Sequence, residues 1–393
     1  MSAAGRAPGG SPGPGEPRAP VGAAELDVLV VVEQLRRAVP GGIGTYTRGL
    51  IRGLRDLAPG AAPHVTLIAS RAARGRPDPL GALGPTLRTI PLGPRSLVKA
   101  WDLGLARVGR DASLVHATST LTPPTSVPLV ATVHDLAWRH LPWAFPPRGR
   151  RWHEASLRRT LRRAAAIVVP SEQVAAEVRD LVETPGGGGG RVVVVEEGAD
   201  HLPSPDPEST RRALDALGVA GEYLLAVGTL EPRKNLARLV EAYESVRPGL
   251  PEPWPLVVVG PAGWGRAGDG GEARPGVVFA GAVRDSVLSG LYAGARCVAY
   301  VPLLEGYGLP VVEAMRAGTP VVASAVPSAR GAALEVDPLD VDSIASGLSI
   351  AATDGGRRDR LVDAGRRRTE GLTWRRCAEH HVSLWCDVAG APR

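Results

Sequence analysis

The feature of this sequence that most restricts its fold is an alternation of short apolar runs with longer amphipathic segments, repeated along the chain. Six runs in the first half have the character of buried strands, and they lie at 26–33, 64–70, 113–119, 128–135, 166–171 and 191–198. Helical periodicity fills several of the gaps, as at 45–57 and 171–183. Continuous apolar strands that alternate with helices are typical of parallel sheets covered on both faces, so the sequence predicts an α/β fold.

The alternation stops once and then starts again. The polar, proline-rich stretch "HLPSPDPEST" (201–210) is followed by five further apolar runs, at 222–228, 255–261, 277–281, 297–302 and 320–325. A chain of 393 residues is also too long for one ordinary core. We therefore expect two doubly wound, Rossmann-like domains, 25–203 and 204–371, with the ligand between them at the carboxyl ends of the strands.

Composition limits the class of protein further. Residues 1–24 are rich in Gly and Pro without an apolar stretch, which predicts a disordered tail and no signal peptide. No apolar run is long enough to span a membrane. Three cysteines without metal-ligand spacing fit a reducing compartment, and a formal net charge of +6 favours anionic partners. We expect no bound metal.

Two polar constellations follow strands of the first half. In "PGGIGTYTRGLIRGL" (40–54), Gly42 and Gly44 allow a sharp turn, and the helix expected from residue 45 would point its amides at an anion. An ordinary glycine-rich turn explains the same residues. In "TVHDLAWRHLP" (132–142), His134 ends an apolar strand, so it is expected either to face the cleft and contact substrate or to cap the next turn.

The segment "VGTLEPRKNLARLVEAY" (227–243) holds an unusual pair of residues. Of 46 Lys and Arg, only Lys99 and Lys234 are lysines, and Asn235 is the only asparagine. Asn235 falls at the N-cap of a predicted amphipathic helix, where its side-chain oxygen is expected to accept a hydrogen bond from a first-turn amide. The helix dipole opposes a cation there, so Arg233 and Lys234 are expected to share an anion, most naturally a diphosphate.

The segment "PLLEGYGLPVVEAMRAGTPVVAS" (302–324) places two carboxylates beside a compact loop. Glu305 follows a strand, Gly306 and Gly308 form the loop, and Glu313 is expected in the first turn of the next helix. Both carboxylates should lie at the carboxyl edge of the sheet. Carboxylates bind sugar hydroxyls well, because one carboxylate can accept two hydrogen bonds from a ribose diol.

With these residues the chain resembles the retaining glycosyltransferases of family 4, which have the GT-B fold, and among them bacterial mannosyltransferase-like members. The resemblance extends from about Leu26 to Trp385. Its most specific element is the E-x7-E spacing of Glu305 and Glu313 inside "EGYGLPVVEAM", followed by "GTPVVAS". It implies two Rossmann-like domains around a central cleft, retention of anomeric configuration, no obligatory metal and no cofactor apart from the nucleotide-sugar co-substrate. The terminal segment, 372–393, should form a helix that packs on the first domain.

The resemblance also implies individual roles. Glu305 is expected to contact the donor sugar near its reacting end, Glu313 to bind the nucleotide ribose, and Arg233 with Lys234 to hold the diphosphate. His134 is expected near the transferred sugar. The remaining residues expected to bind the donor are Gly42, Gly44, Thr229, Gly306, Tyr307, Gly308 and Leu309.

Two departures from the family pattern concern the donor. Many members have arginine where Thr229 stands, so Arg233 should supply the second charge. After Ser328 the chain lacks the usual Pro-Glu segment and is several residues shorter. The motif "GTLEPRKN" resembles members that use GDP-mannose, and UDP-sugars stay open as donors. The implied reaction moves a hexose, with mannose favoured, to a glycan or lipid-linked acceptor in cell-envelope polysaccharide or glycolipid synthesis.

Other functions remain open on the sequence alone. Nucleotide-sugar epimerases and sugar phosphorylases share the GT-B architecture, and a catalytically degenerate binding protein would keep the same fold. No recognition-helix or RNA-binding motif favours nucleic acid as a partner. NAD-dependent oxidoreduction is a weaker alternative still, because no GxGxxG motif with a downstream acid opens either domain.

Seven arginines lie on one predicted helix of the first domain, beside Trp143 and Trp152: Arg148, Arg150, Arg151, Arg158, Arg159, Arg162 and Arg163. Two interpretations fit these arginines equally well. They form either a solvated helix face or a surface that docks on anionic lipid and so reaches a lipid-linked acceptor. We therefore expect a cytoplasmic protein, with peripheral binding to the inner face of the membrane as the open alternative.

Overall fold

The computed structural model describes residues 22–72, 78–263 and 274–390. Most of the predicted tail, 1–24, lies outside the described residues; its end enters a short 3-10 helix, Ala23–Glu25. The rest of the described chain forms two wholly parallel sheets with helices packed on them. None of the helices described is long and apolar enough to cross a bilayer.

The first sheet has seven strands in the order β3-β2-β1-β4-β5-β6-β7. Their bounds are β1 (Asp27–Val31), β2 (His64–Ser70), β3 (Thr86–Ile90), β4 (Leu114–Ala117), β5 (Leu129–Thr132), β6 (Ala166–Val169) and β7 (Arg191–Val194). Strand β3 was not predicted from the sequence. This edge strand has the sequence TLRTI and is exposed along much of its length, so it carries no apolar run.

The second sheet has six strands in the order β10-β9-β8-β11-β12-β13. Their bounds are β8 (Leu224–Val227), β9 (Leu256–Val259), β10 (Val277–Gly281), β11 (Cys297–Tyr300), β12 (Val321–Ala323) and β13 (Leu334–Glu335). The two-residue β13 was also missed, because it is too short to show a pattern. Both sheets reverse their order once, between β1 and β4 and between β8 and β11, as doubly wound folds do.

Helices cover both faces of each sheet. In the first domain they are α1 (Gly41–Arg55), α2 (Pro94–Asp102), α3 (Ala137–His140), α4 (Pro147–Arg163) and α5 (Glu172–Glu183). The later helices are α6 (Pro207–Ala216), α7 (Leu236–Val246), α8 (Asp285–Gly294), α9 (Leu309–Arg316), α10 (Val341–Thr353), α11 (Gly355–Thr369) and α12 (Trp374–Gly390). Further 3-10 turns lie at Glu33–Arg36, Gly81–Leu83, Pro142–Ala144, Pro232–Lys234 and Arg247–Gly249.

The terminal helix α12 returns to the first domain, as the resemblance implied. It packs along α1, and its buried Trp374 joins the apolar cluster that also contains Leu50 of α1. Two glycines of α1 allow this close approach. A Cβ atom at Gly49 would lie 2.2 Å from the Trp374 ring, and one at Gly53 would lie 2.0 Å from the Trp374 carbonyl oxygen.

We predict that Gly53→Ala destabilises the protein, although alanine normally favours a helix over glycine by about 0.5–1 kcal/mol. The added methyl would force α1 away from the Trp374 backbone, and overpacking of this kind costs about 1–3 kcal/mol. Urea unfolding followed by circular dichroism measures the change. Gly355→Ala, at the start of α11 with open space around its Cβ position, is the matched control and should be neutral or stabilising. A stabilising Gly53→Ala would contradict the close α1–α12 contact.

Candidate active site

The order of the second sheet explains why residues about seventy positions apart meet. β8 and β11 are neighbours in the sheet although β9 and β10 lie between them in the sequence. The chain leaves β8 through the 3-10 turn Pro232–Lys234, and it leaves β11 through the loop that carries Glu305. Connections on the two sides of such a reversal diverge and leave a crevice at the carboxyl ends of the strands, where open α/β sheets bind ligands.

Glu305 and the predicted cation pair meet directly at this crevice. The Oε1 atom of Glu305 accepts hydrogen bonds from Arg233 Nη1 at 2.7 Å and from Lys234 Nζ at 2.5 Å. Lys234 also donates to the Tyr300 hydroxyl at 2.8 Å, and Arg233 donates to Glu231 at 2.7 Å. The cluster thus consists of two cations and two carboxylates. All four side chains are largely buried, with exposures between 5% and 17%.

The charges in this cluster determine its protonation. Burial acts to raise the pKa of Glu305, but the charges of Arg233 and Lys234 outweigh it and lower the pKa to about 2. Burial and the charge of Arg233 lower the pKa of Lys234, against the opposing effect of Glu305. Glu305 is therefore a carboxylate at neutral pH, held between two hydrogen-bond donors.

These contacts correct one part of the sequence analysis. Lys234 was expected to share an anion with Arg233, most naturally a diphosphate, yet the anion that both contact is the side chain of Glu305, and Lys234 also donates to Tyr300. The reason lies in tertiary topology: the loop after β11 brings a carboxylate to the cation that the helix dipole of α7 alone would disfavour. The cations and the predicted sugar-binding glutamate form one unit.

Asn235 occupies the predicted N-cap position of α7, but it does not cap in the predicted way. Its side chain makes no hydrogen bond to a first-turn amide. Instead Nδ2 donates to the carbonyls of Val301 (3.1 Å) and Pro338 (2.7 Å), and Oδ1 accepts from Arg238. The backbone at Asn235 is left-handed, with φ of 60°, a conformation that asparagine tolerates better than most residues. Asn235 thus ties the turn after β8 to the loops beside it.

Glu313 is the fifth residue of α9 and so lies just beyond the predicted first turn, because the helix begins at Leu309 after the left-handed Gly308. Both of its oxygens are engaged: Oε2 accepts from the Tyr292 hydroxyl at 2.6 Å, and Oε1 lies 3.0 Å from His201 Nε2. Burial lowers the pKa of His201, but the hydrogen bond and charge of Glu313 outweigh it and raise the pKa above its ordinary value. Glu313 and His201 form an ion pair when His201 is protonated.

The loop between Glu305 and α9 rests on the first domain. A Cβ atom at Gly306 would lie 1.8 Å from the carbonyl oxygen of His134, so only glycine fits there. The Gly306 carbonyl accepts from Ser171 at 2.7 Å, and the Tyr307 hydroxyl donates to the Glu197 carbonyl at 3.0 Å. Gly308 accepts from Ser328 through its carbonyl, and Leu309 joins the apolar cluster of the first domain. The structure therefore brings this loop and His134 together.

His134 faces acceptors on both sides of its ring. Nε2 bonds to the Thr118 carbonyl at 2.9 Å, and Nδ1 lies 3.5 Å from the buried carboxylate of Glu197. The edge-to-face contact with Tyr46, with ring centroids 4.7 Å apart, fixes the ring plane. The expected alternative, that His134 caps the following turn, is wrong, because Asp135 accepts the Ala137 amide there.

The glycine-rich segment lies within the first helix and not in a loop before it. α1 begins at Gly41, whose φ is +62°, so Gly42 and Gly44 form its first turn. A Cβ atom at Gly44 would lie 2.3 Å from Pro40, whereas the Cβ position at Gly42 is open. α1 follows β1 at the order reversal of the first sheet, which places this turn at the carboxyl edge of that sheet. Thr229 lies in the turn after β8, where its carbonyl accepts the Glu231 amide.

Several residues that contact these side chains were not predicted from the sequence. Glu197 follows the apolar strand β7, and Tyr300 ends β11, so a polar residue at a strand's carboxyl end was the available signal for both. His201 lay in the stretch interpreted as a linker, where nothing distinguished it. Tyr292 sits inside an apolar helix and gave no signal.

Comparison with known proteins agrees with this geometry. The family model described as "Glycosyltransferase Family 4" matches residues 40–201, and the model described as "Glycosyl transferases group 1" matches residues 221–354. The chain is 29% identical over 282 residues to O-antigen chain mannosyltransferase B of Escherichia coli, covering 69% of this chain and 74% of that protein. It is 28% identical over 388 residues to phosphatidyl-myo-inositol mannosyltransferase of Mycobacterium tuberculosis, covering 90% and 95%.

Solved structures with the same fold include a sucrose-phosphate synthase from Thermosynechococcus elongatus, with a TM-score of 0.69 and 20% identity, covering 92% of this chain and 98% of that one. The Anabaena protein HepE in complex with UDP and glucose gives a TM-score of 0.67 at 17% identity, covering 91% and 99%. The epimerase, phosphorylase and binding-protein alternatives gain no support from these relatives. The chain belongs to the family 4 glycosyltransferases and has the GT-B fold.

Proposed function

We propose that this glycosyltransferase moves a hexose, mannose in the first instance, from a nucleoside-diphosphate sugar to a glycan or lipid-linked acceptor, with retention of configuration and without a metal. The observation that carries the proposal is the cluster of Arg233, Lys234 and Glu305 at the crevice of the second sheet. The curated relatives named above are mannosyltransferases, which supports mannose. The Anabaena structure holds UDP and glucose, so UDP-sugars are the second choice of donor.

The chemistry requires stabilisation of a leaving group. The bond between the anomeric carbon and the phosphate oxygen breaks, and the diphosphate departs with the electron pair. The acceptor hydroxyl oxygen bonds to the anomeric carbon, and its proton passes to the departing diphosphate oxygen. Arg233 and Lys234 are the cations placed to take up the growing negative charge, because charge-assisted hydrogen bonds in a buried site stabilise it without reorganisation.

Glu305 has two tasks in this proposal. It holds both cations in place before the donor arrives, and it is proposed to accept a hydrogen bond from a hydroxyl of the donor sugar. Glu313 is proposed to bind the nucleotide ribose, and His134 to lie beside the transferred sugar. The close contact of Gly306 with the His134 carbonyl supports this arrangement, since it joins the donor loop to the first domain.

The acceptor side is proposed to use the arginines of α4. A groove of about 820 Å³ lies along α3 and α4 and is lined by Trp138, Arg150, Arg151 and Arg162, among others. Ion pairs join Arg158 to Glu154 and Arg159 to Asp102. We propose that the remaining exposed arginines and the 64% exposed Trp143 dock on the anionic inner face of the membrane, where a lipid-linked acceptor would lie.

The first test uses Lys234→Ala. A nucleoside diphosphate present at 100 times its Kd should stabilise the wild-type protein by about 2.7 kcal/mol, so thermal unfolding against a panel of GDP, UDP and other nucleoside diphosphates identifies the base. The variant should fold but lose most of this stabilisation. Loss of one charge-assisted hydrogen bond to the diphosphate should lower kcat/KM roughly 10- to 100-fold.

The control for this test is Lys99→Ala, which removes the chain's other lysine from the exposed face of α2. It should leave nucleotide binding and transfer unchanged. Wild-type turnover in Lys234→Ala would contradict the diphosphate-binding role of the cation pair, and a wild-type protein that no nucleoside diphosphate stabilises would contradict the proposed function.

The second test concerns stereochemistry and metal. With an α-linked nucleotide sugar, the product should carry an α-glycosidic bond, which the anomeric carbon–proton coupling in the NMR spectrum identifies. Transfer should continue in excess EDTA, because Arg233 and Lys234 supply the positive charge that a metal would otherwise provide. A β-linked product would exclude retention, and full loss of activity in EDTA restored by a divalent cation would exclude the metal-free reaction.

The third test concerns the membrane. Each surface cation contributes about 1 kcal/mol to binding of anionic lipid, so an Arg151→Gln/Arg162→Gln double variant should bind acidic vesicles roughly 30-fold more weakly. Co-sedimentation with phosphatidylglycerol vesicles, and with phosphatidylcholine vesicles as the neutral lipid, measures this. The matched variant Arg366→Gln/Arg367→Gln removes two exposed arginines of α11 in the second domain and should bind normally. Equal binding by both variants would leave α4 as an ordinary solvated helix.

A further inference from the structure

His201 lies in the segment between β7 and α6 and contacts three helices. Its Nε2 atom is 3.0 Å from Glu313 of α9, its Nδ1 atom accepts a hydrogen bond from the Trp374 indole of α12 at 3.3 Å, and its carbonyl accepts from Arg52 of α1. Its side chain is 15% exposed, so the ring is held almost wholly by protein. A linker residue with this many fixed contacts does more than join two domains.

The contacts determine where the His201 proton lies. An indole N–H can only donate, so Nδ1 must offer its lone pair to Trp374. The proton of the neutral ring is therefore on Nε2, where it is donated to Glu313. Trp374 is itself fixed, because its ring packs on Gly49 and its amide donates to Asp200 at 2.8 Å. The hydrogen bond from Trp374 thus makes His201 the donor and Glu313 the acceptor in the contact between them.

Glu313 is held from two sides. The Tyr292 hydroxyl donates to Oε2 and His201 donates to Oε1, so the plane of the carboxylate is fixed. Each carboxylate oxygen has two lone-pair directions, which leaves one on each oxygen for a further donor. A carboxylate fixed in this way has the geometry to accept hydrogen bonds from two adjacent hydroxyls, and its orientation costs no entropy when they arrive.

We propose that His201 is a positioning residue for the donor nucleotide, which orients Glu313 to accept hydrogen bonds from the ribose diol. This inference rests on the proposed function, in which Glu313 binds the ribose. It adds that recognition of the ribose depends on a residue outside the nucleotide-binding sheet. Through Trp374 and Arg52, His201 joins that recognition to the packing of α12 on α1.

The test compares a nucleoside diphosphate with its 2′-deoxy form, which differs only at the ribose. Calorimetry gives the Kd of GDP and dGDP, or of UDP and dUDP if the panel selects uracil. The wild-type protein should prefer the ribonucleotide. In His201→Ala the Kd of the ribonucleotide should rise roughly 10- to 100-fold, the effect of about one hydrogen bond to a charged group, while that of the deoxynucleotide changes little. The ratio between the two should approach one.

Three variants accompany this measurement. His201→Gln keeps an N–H donor for Glu313 and should retain much of the preference for ribose. Tyr292→Phe removes the other hydrogen bond to Glu313 and should lower the preference by a similar amount, which keeps the inference testable if His201→Ala does not fold. His380→Ala removes an exposed histidine of α12 and should behave as wild type.

The outcomes separate the inference from the proposed function. Wild-type binding with an unchanged ribose preference in both His201→Ala and Tyr292→Phe would overturn the inference alone. An equal loss of affinity for both nucleotides in His201→Ala would also overturn it, because a residue that only maintains the fold would have that effect. Failure of the wild-type protein to bind any nucleoside diphosphate would overturn the proposed function and the inference with it.

Discussion

The rest of this structure depends on the parallel arrangement of both sheets. Parallel strands need crossover helices, so each sheet is buried on both faces and its loops collect at two edges. Because each sheet reverses its strand order once, its carboxyl edge has a crevice at a defined place, between β1 and β4 or between β8 and β11. The glycine turn of α1 lies at the first crevice, and Lys234 and Glu305 meet at the second.

The buried charges at the second crevice are better explained by ligand binding than by stability. Taking Arg233, Lys234 and Glu305 out of water costs several kcal/mol per ion, and buried ion pairs often stabilise a protein no more than apolar residues of similar volume. Two cations that share one carboxylate oxygen remain able to interact with an incoming anion. The arrangement resembles a preorganised site, in which the dipoles and charges are in place before charge develops.

The two domains meet through several close contacts. Gly306 touches the backbone of His134, Tyr307 donates to Glu197, and α12 packs on α1 through Trp374. The segment after β7 contributes to both ends of this region, since Glu197 faces His134 and His201 faces Glu313. Both ends of the proposed donor site therefore contact one short stretch of chain. A substitution in that stretch would therefore affect both the sugar end and the ribose end of the proposed donor site.

Much of the fold and part of the site could be predicted because they depend on local pattern. Apolar runs with helical periodicity between them indicated eleven of the strands and the doubly wound class, and the position of Asn235 at the start of α7 followed from the stripe of that helix. The E-x7-E spacing and the adjacent glycines indicated the donor loop. Strands β3 and β13 were not predicted, because an exposed edge strand and a two-residue strand have no apolar run.

Only the tertiary structure decided which groups pair. Lys234 is bound by Glu305, Asn235 donates to carbonyls of distant loops, and His201 orients Glu313. Such pairs join residues from 66 to 112 positions apart, as between Asn235 and Val301 and between His201 and Glu313. No local pattern encodes a partner at that separation, since the order of strands in the sheet determines it. The sequence by itself determined the strands, the helices and the kinds of chemistry available, and the folding of the sheets determined which of those groups meet.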